Sequence, residues 1–349
     1  MKILIATGIY PPDIGGPAQY ARGVEEAWKK EGHQVKVLAF SAVCRTGVLN
    51  WKLPTGIRHL YYFLRVLCSL PGTDFVFSPD TFSAAFPALL ACKLFRKKLI
   101  IRTGGDFLWE QYVERTGDLV LLKDFYVTHV KRFNRKEKII FSLLRFLFRH
   151  VAATIFSTAW QRDIFEKPYG LNLKKCFIVE NQYGQQTPHL EHTDKLKNVG
   201  MSKVFVGGTR ELRWKNLARV QEAFAKVQKK GLPVSLVLQT GSHGKFLMDI
   251  EESYAVILAS LGDISPNTIL DAIALGKPFI LTRETGLYDK LKDIGVWVNP
   301  EDVSDIAEKI EWLSDARNYE AQYAKIQAYS FTHSYEQISN EIMNIYART

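Results

Sequence analysis

Short apolar runs alternate with amphipathic stretches along nearly the whole chain, in two separate blocks. In the first block the apolar runs Lys2–Ala6, Gln34–Phe40, Phe75–Ser78, Leu99–Arg102, Thr154–Ser157 and Cys176–Val179 are predicted strands. Between them, Pro17–Glu31, Gly56–Leu70, Phe82–Phe95, Glu137–Val151 and Ala159–Glu166 carry helical periodicity. Strands that are apolar throughout and separated by amphipathic helices predict a parallel sheet covered on both faces.

The second block repeats the alternation. Strand Val204–Gly207, helix Asn216–Lys229, strands Val234–Gln239 and Ala255–Ala259, helix Thr268–Leu275 and strand Phe279–Thr282 follow one another. Helices are predicted over Asp302–Asp315 and Tyr335–Ala347, and the polar stretch His189–Val199 reads as a linker. A chain of 349 residues has room for two such domains.

With 47% hydrophobic and 23% charged residues, the chain has the composition of a folded globular protein and not of a disordered one. Cys44, Cys68, Cys92 and Cys176 are far apart, with no C-x-x-C pair and no neighbouring His cluster. They read as reduced, mostly buried thiols of a cytoplasmic protein, and neither as disulfides nor as a zinc site. The apolar start at Met1–Thr7 is too short for a signal peptide, and Ile139–Trp160 is interrupted by Arg145, Arg149 and His150, so no membrane span is expected.

The net charge of +10 is unevenly placed. Residues 1–190 carry 27 Lys and Arg against 15 Asp and Glu, which leaves 19 against 21 for the remainder. An anionic partner is therefore expected on the first half: a membrane, a nucleic acid or a phosphorylated acceptor. Lys131, Arg132, Arg135, Lys136 and Lys138 run into an apolar stretch that suits either an amphipathic helix on an anionic bilayer or a core helix with a solvated basic face. The basic residues form no recognised nucleic-acid module, so no nucleic-acid partner is expected.

Four segments are placed to carry chemistry. Pro11–Pro17 follows the first strand and opens a helix, and Gly15 and Gly16 within it allow close backbone approach. An ordinary strand-to-helix turn also uses these residues, and the G-x-G-x-x-G spacing of a dinucleotide site is absent. Val206–Asn216 is again strand, tight turn and helix start, with Arg210 and Lys215 five apart. The two cations can converge on one diphosphate or remain two solvated charges, and Arg213 is a possible substitute for Arg210. Thr103–Glu110 follows a strand end, where open α/β sheets bind ligands; of its carboxylates Asp106 and Glu110, Asp106 suits an ordinary helix cap. Finally, Asp263 and Asp271 stand eight residues apart, with Ser265, Pro266, Asn267 and Thr268 between them. That segment is a loop entering a helix, whose N–H groups and dipole favour an anion.

The last run, with Gly276 and Pro278 closing its helix, resembles the carboxylate-x7-carboxylate signature of family 4 retaining glycosyltransferases. The Gly15-Gly16 loop and the Arg210/Lys215 loop are similar to that family's segments in the same order. The resemblance implies the GT-B fold: two Rossmann-like domains facing across a cleft. It implies a first domain of 1–190 on the acceptor side, a donor domain of 200–330, and a last helix within 331–349 returning to the first. It also implies transfer from a nucleotide diphosphate sugar to a glycan or lipid-linked acceptor, with retention of configuration and no obligatory metal or other cofactor. No D-x-D motif is present.

By this resemblance Asp106 and Asp263 are the candidate catalytic residues, the latter holding the donor sugar. Gly15, Gly16, Arg210, Lys215, Ser265, Asn267, Thr268 and Asp271 would bind the donor, and Trp109 and Glu110 would lie on the acceptor side. The family's usual pair is Glu and Glu, and here each is a methylene shorter. Only one helix-length segment, Gly244–Tyr254, lies where the family has an additional strand and helix. Two alternatives stay open: a GT-B sugar-nucleotide epimerase or phosphorylase, and, supported by these departures, a degenerate scaffold or binding protein. A peripheral position on the inner face of a membrane is the remaining expectation.

Overall fold

The computed structural model describes residues 1–13, 15–41, 55–184, 202–207, 211–238 and 243–349. The chain forms two compact units. One comprises Met1–Leu108, Val130–Gln182 and His333–Thr349; the other comprises Trp109–His129 and Tyr183–Thr332. The grouping of Trp109–His129 with the second unit has no counterpart in the sequence pattern. The expected linker at 189–199 lies outside the described residues.

The first unit is built on a parallel sheet of β1 (Lys2–Thr7), β2 (Gln34–Ala39), β3 (Phe75–Ser78), β4 (Lys98–Thr103), β5 (Ala153–Phe156) and β6 (Cys176–Ile178), in the order β2-β1-β3-β4-β5-β6. Register is set from β1, where Ile3 pairs with Val35 on one side and with Phe75 on the other. Chain order then gives α1 (Gly16–Lys30), α2 (Thr55–Leu67), α3 (Ala85–Phe95), α4 (Phe107–Thr116), α5 (Leu122–Thr128), α6 (Arg135–His150) and α7 (Ala159–Tyr169), of which α5 and α4 from Trp109 onward belong to the second unit. Helix α6 starts where it does because Asn134 and Glu137 form a reciprocal capping box. One face of the sheet buries Ile3, Ile5, Phe75 and Phe77 against Trp28 of α1, whose ring meets Phe77 edge-on at 5.5 Å.

The second unit has a parallel sheet of β7 (Lys203–Gly207), β8 (Val234–Leu238), β9 (Ala255–Leu258), β10 (Phe279–Thr282) and β11 (Val296–Val298), in the order β11-β10-β9-β7-β8. Its helices are α8 (Leu217–Lys229), α9 (His243–Glu252), α10 (Asn267–Ala274), α11 (Tyr288–Leu291), α12 (Val303–Ser314) and α13 (Ala316–Ala328). Successive side chains of a strand point to opposite faces. Phe205, Ile257 and Ile280 accordingly enter one core with α8 and α12, and Val206, Val256, Leu258 and Phe279 enter the other with α9 and α10.

The last helix, α14 (Tyr335–Arg348), packs beside α1 in the first unit. Gly23 makes the close approach possible, because a Cβ there would come within 2.3 Å of the Tyr335 ring. Ile338, Ile342 and Ile345 of α14 join the core that holds Trp28.

The cysteines require a correction. Of the three described, only Cys92 is buried, whereas Cys68 is exposed and Cys176 is half-buried; all three are free thiols. Burial pushes the Cys92 thiol up to about 12, so it stays protonated at neutral pH. Cys44 lies outside the described residues.

Candidate functional site

In the second unit the chain leaves β7 for β8 on one side and returns to β9 on the other. The strand order therefore reverses between β7 and β9, and open α/β sheets bind ligands outside the carboxyl ends of the strands at such a point. The loops after these two strands carry Lys215 and Asp263. Lys215 ends a short 3-10 turn, Arg213–Lys215, and its Nζ lies 2.7 Å from Asp263 Oδ2 and 4.2 Å from the centre of the Trp214 ring. Both side chains are largely shielded, at 14% and 10% exposure, which strengthens their attraction relative to a solvent-exposed pair.

Each partner is fixed by its own surroundings. Asn216, next to Lys215, takes a left-handed backbone (φ 60°), which Asn tolerates better than most residues. Its buried Nδ2 donates to the Ala259 and Pro300 carbonyls, tying the β7 loop to the end of β9. On the other side, Ser260 Oγ donates to the Asp263 carboxylate at 3.3 Å. Asp263 N donates to Glu284 O, and its carbonyl accepts from Gly286 N, so the loop is stitched to the segment after β10.

Asp263 leads into α10. Asn267 is its first residue, exposed, and Thr268 and Asp271 are partly exposed on it. Ser265 is partly exposed just before the helix, and Pro266 occupies the cap position with no side-chain capping bond. Asp271 thus stands one turn inside the helix. Arg210, with Gly208 and Thr209, lies outside the described residues. Arg213 turns toward another segment: its backbone N–H donates to Glu114 at 2.7 Å, and its guanidinium lies against Gly117.

That other segment is Trp109–His129, which packs on the same strand ends. Trp109, 1% exposed, packs at 5.5 Å against Trp214 with the rings tilted by 55°, and its Nε1 donates to the Val120 carbonyl. Leu122 N donates to Leu261 O, and a Cβ on Gly262 would come within 2.5 Å of Leu122 Cβ. Lys123 Nζ meets the buried Glu284 at 2.6 Å, and this bond holds the Lys123 ammonium above its usual range. A second lysine–carboxylate pair therefore stands one backbone link from the first.

Trp109 is accordingly a packing residue here, with no open ring face for an acceptor; Glu110 beside it is partly exposed. Lys123, Glu284 and Trp214 were missed from the sequence, because no spacing links residues 123, 214 and 284. The Trp214 Nε1 is buried and has no hydrogen-bond partner among the described residues.

The remaining sequence candidates lie in the first unit, at the carboxyl ends of its strands. There the order reverses between β1 and β3. Gly15, in a backbone conformation (φ 154°) that L side chains rarely adopt, precedes α1, and its carbonyl accepts from Ala18 N; Gly16 is the first helical residue. Asp80, after β3, accepts the Phe82, Ala84 and Ala85 N–H groups, and its burial raises its pKa. Asp106, 3% exposed, precedes α4 and accepts from Leu108 N at 3.1 Å, which is helix-cap geometry. Among the described residues, no group of three or more His, Cys, Asp or Glu is arranged to hold a metal ion.

No protein-family profile matches the chain, and no curated protein sequence does. Solved structures do. Sucrose-phosphate synthase from Thermosynechococcus elongatus superposes with a TM-score of 0.71 at 12% identity, over 99% of this chain and 98% of that one. WaaG, a glycosyltransferase involved in lipopolysaccharide biosynthesis, gives 0.67 at 13% identity over 99% of both chains. Trehalose-6-phosphate synthase, from work on glycosyl transfer with retention, gives 0.67 at 11% identity over 100% and 99%. The chain has the GT-B fold. Within that GT-B fold, the second sheet brings Lys215 and Asp263 to its point of strand reversal, and the first sheet places Gly15, Gly16 and Asp106 at its carboxyl edge.

Proposed function

We propose that the protein is a glycosyltransferase that moves a sugar from a nucleotide diphosphate sugar to a glycan or lipid-linked acceptor, with retention of configuration. The observation that carries the reading is the Lys215–Asp263 pair at the strand reversal of the second unit. A leaving nucleoside diphosphate accumulates negative charge as the glycosidic bond to its phosphate breaks, and a pre-positioned ammonium stabilises that charge. Lys215 supplies it, with Arg210 as its partner cation. Asp263, freed to exchange its Lys215 bond for sugar hydroxyls, positions the donor sugar. The N-terminal turn of α10, with Ser265, Asn267 and Thr268, adds donors to the phosphates, and Asp271 accepts the ribose hydroxyls.

Gly15 and Gly16 permit close backbone approach to the donor. Asp106 is the carboxylate assigned to the reacting sugar, a role compatible with its capping bond because a carboxylate has further lone pairs. No metal is required in this scheme. Support for it comes from neighbours that include WaaG and trehalose-6-phosphate synthase.

The test is incubation of the protein with UDP-, GDP-, ADP- and dTDP-sugars, with released sugar and nucleotide followed by NMR. One donor class is expected to be consumed, with the anomeric configuration of the first product retained. Conversion of a donor to its epimer without nucleotide release would replace transfer by epimerisation. If every donor survives, a binding protein is the better reading.

A further inference from the structure

The first unit presents a surface on which exposed apolar side chains and cations stand together. Helices α2, α3 and α6 follow crossovers that advance in one direction along the sheet, from β2 past β1 to β3, β4 and β5. Right-handed connections place all three on the same face, with α3 packed between α2 and α6, while α7, which carries Asp163 and Glu166, lies beyond α6 at the edge of the layer. Each helix buries one stripe and shows another. In α6, Ile140, Leu144, Leu147 and Phe148 face inward, as a core helix requires, yet Ile139 is 61% exposed and Phe146 38%. Leu60 and Leu64 of α2 (59% and 46%) and Leu90 and Leu94 of α3 (39% and 67%) are exposed at the same helical spacing, one turn apart.

The charges on these helices are almost all of one sign. Over 13, 11 and 16 residues, α2, α3 and α6 carry two, one and five Lys or Arg. Their one carboxylate, Glu137, is buried in the capping box of α6. Cation and apolar group are also interleaved at short range, with Lys93 Nζ lying 4.8 Å above the Phe146 ring across the α3–α6 seam.

We infer that this three-helix layer is a docking face for an anionic lipid bilayer, holding the first unit on the headgroup region through its apolar ridges and basic side chains. Both halves of the pattern are needed for that partner. Exposed Leu and Ile gain from entering the acyl boundary, and Lys and Arg gain from anionic headgroups. A second copy of the chain fits poorly, since two such faces would oppose cation to cation with no exposed carboxylate on these helices. Nucleic acid fits poorly too, because aliphatic ridges offer it neither stacking nor hydrogen bonds. No helix among the described residues is long and apolar enough to cross a membrane, so the contact is peripheral. The inference does not depend on the transfer chemistry.

The experiment is co-sedimentation of the full chain with vesicles of phosphatidylcholine alone or with phosphatidylglycerol, at low and high salt. The protein is expected to pellet only with the anionic vesicles, and less at high salt as charges are screened. A triple variant, Leu60→Glu/Leu94→Glu/Ile139→Glu, is expected to lose roughly tenfold or more in vesicle partition. All three positions are exposed, so an unchanged melting temperature will verify that the variant is folded. The proposal is overturned if the wild type stays in the supernatant with anionic vesicles at low salt. It is equally overturned if the folded triple variant pellets as well as the wild type. A wild type that dimerises in size-exclusion chromatography without binding vesicles, with a monomeric triple variant, would assign the face to a second copy.

Discussion

Lys215→Ala is expected to lower turnover of the donor by about two to three orders of magnitude, the usual effect of removing one group that stabilises developing charge in a transition state. Two effects are combined in that loss. The diphosphate loses a charge-assisted contact, worth roughly 1.5–3 kcal/mol, or about 10- to 150-fold in affinity. Asp263 also loses the cation that holds it at 2.7 Å and keeps the bond from Ser260 Oγ. Lys215→Arg keeps the charge but changes its shape, so it should recover part of the affinity and less of the turnover. Steady-state kinetics on the donor identified in the hydrolysis panel will check this. Turnover within about twofold of wild type would mean that the Lys215–Asp263 pair only braces the loop.

The second large effect is structural. Trp109→Ala should destabilise the second unit by about 3–5 kcal/mol, the range for truncating a buried Trp. At about 2–4 °C per kcal/mol for a unit of this size, the melting temperature should fall by roughly 6–20 °C. The indole packs tilted against Trp214 and bonds to the Val120 carbonyl, so its loss loosens Trp109–His129 on the strand ends. Lys123 would then be less firmly held on Glu284. Differential scanning calorimetry with acceptor kinetics separates this from an acceptor contact. An unshifted melting temperature with a raised acceptor KM would restore the acceptor role.

Much of this architecture was legible in the chain. The strands of the first sheet fall within a residue or two of their predicted bounds, because most are short apolar runs set off by polar or turn residues, while β2 alternates with Lys36 on its outer face. Helix α10 with Asp271, and Asp263 in the loop before it, were equally legible, since Pro266 precedes the helix and Gly276 follows it. Other elements gave weaker signals. β11 is only three residues long, and α13 buries just Tyr319, Gln322 and Ile326, too few for a clear stripe.

The position of Trp109–His129 was not legible at all, because it rests on contacts with Trp214, Leu261 and Glu284, far away in sequence. The same holds for the Lys123–Glu284 pair. The Lys215–Asp263 pair was half legible: both residues stood out by motif, but their direct ion pair is a tertiary fact. The uneven charge was read from composition, whereas the absence of exposed carboxylate on α2, α3 and α6 emerges only when those helices are placed side by side.

The central claim is that the second unit binds a nucleoside diphosphate at the ends of β7 and β9, and calorimetric titration tests it most directly. UDP, GDP, ADP and dTDP are titrated into wild type, Lys215→Ala and Asp271→Asn. One diphosphate is expected to bind the wild type, to lose about 10- to 150-fold in Lys215→Ala, and to weaken also in Asp271→Asn through the lost ribose contact. Absence of binding by all four to the wild type, or equal affinity in wild type and Lys215→Ala, would contradict the account.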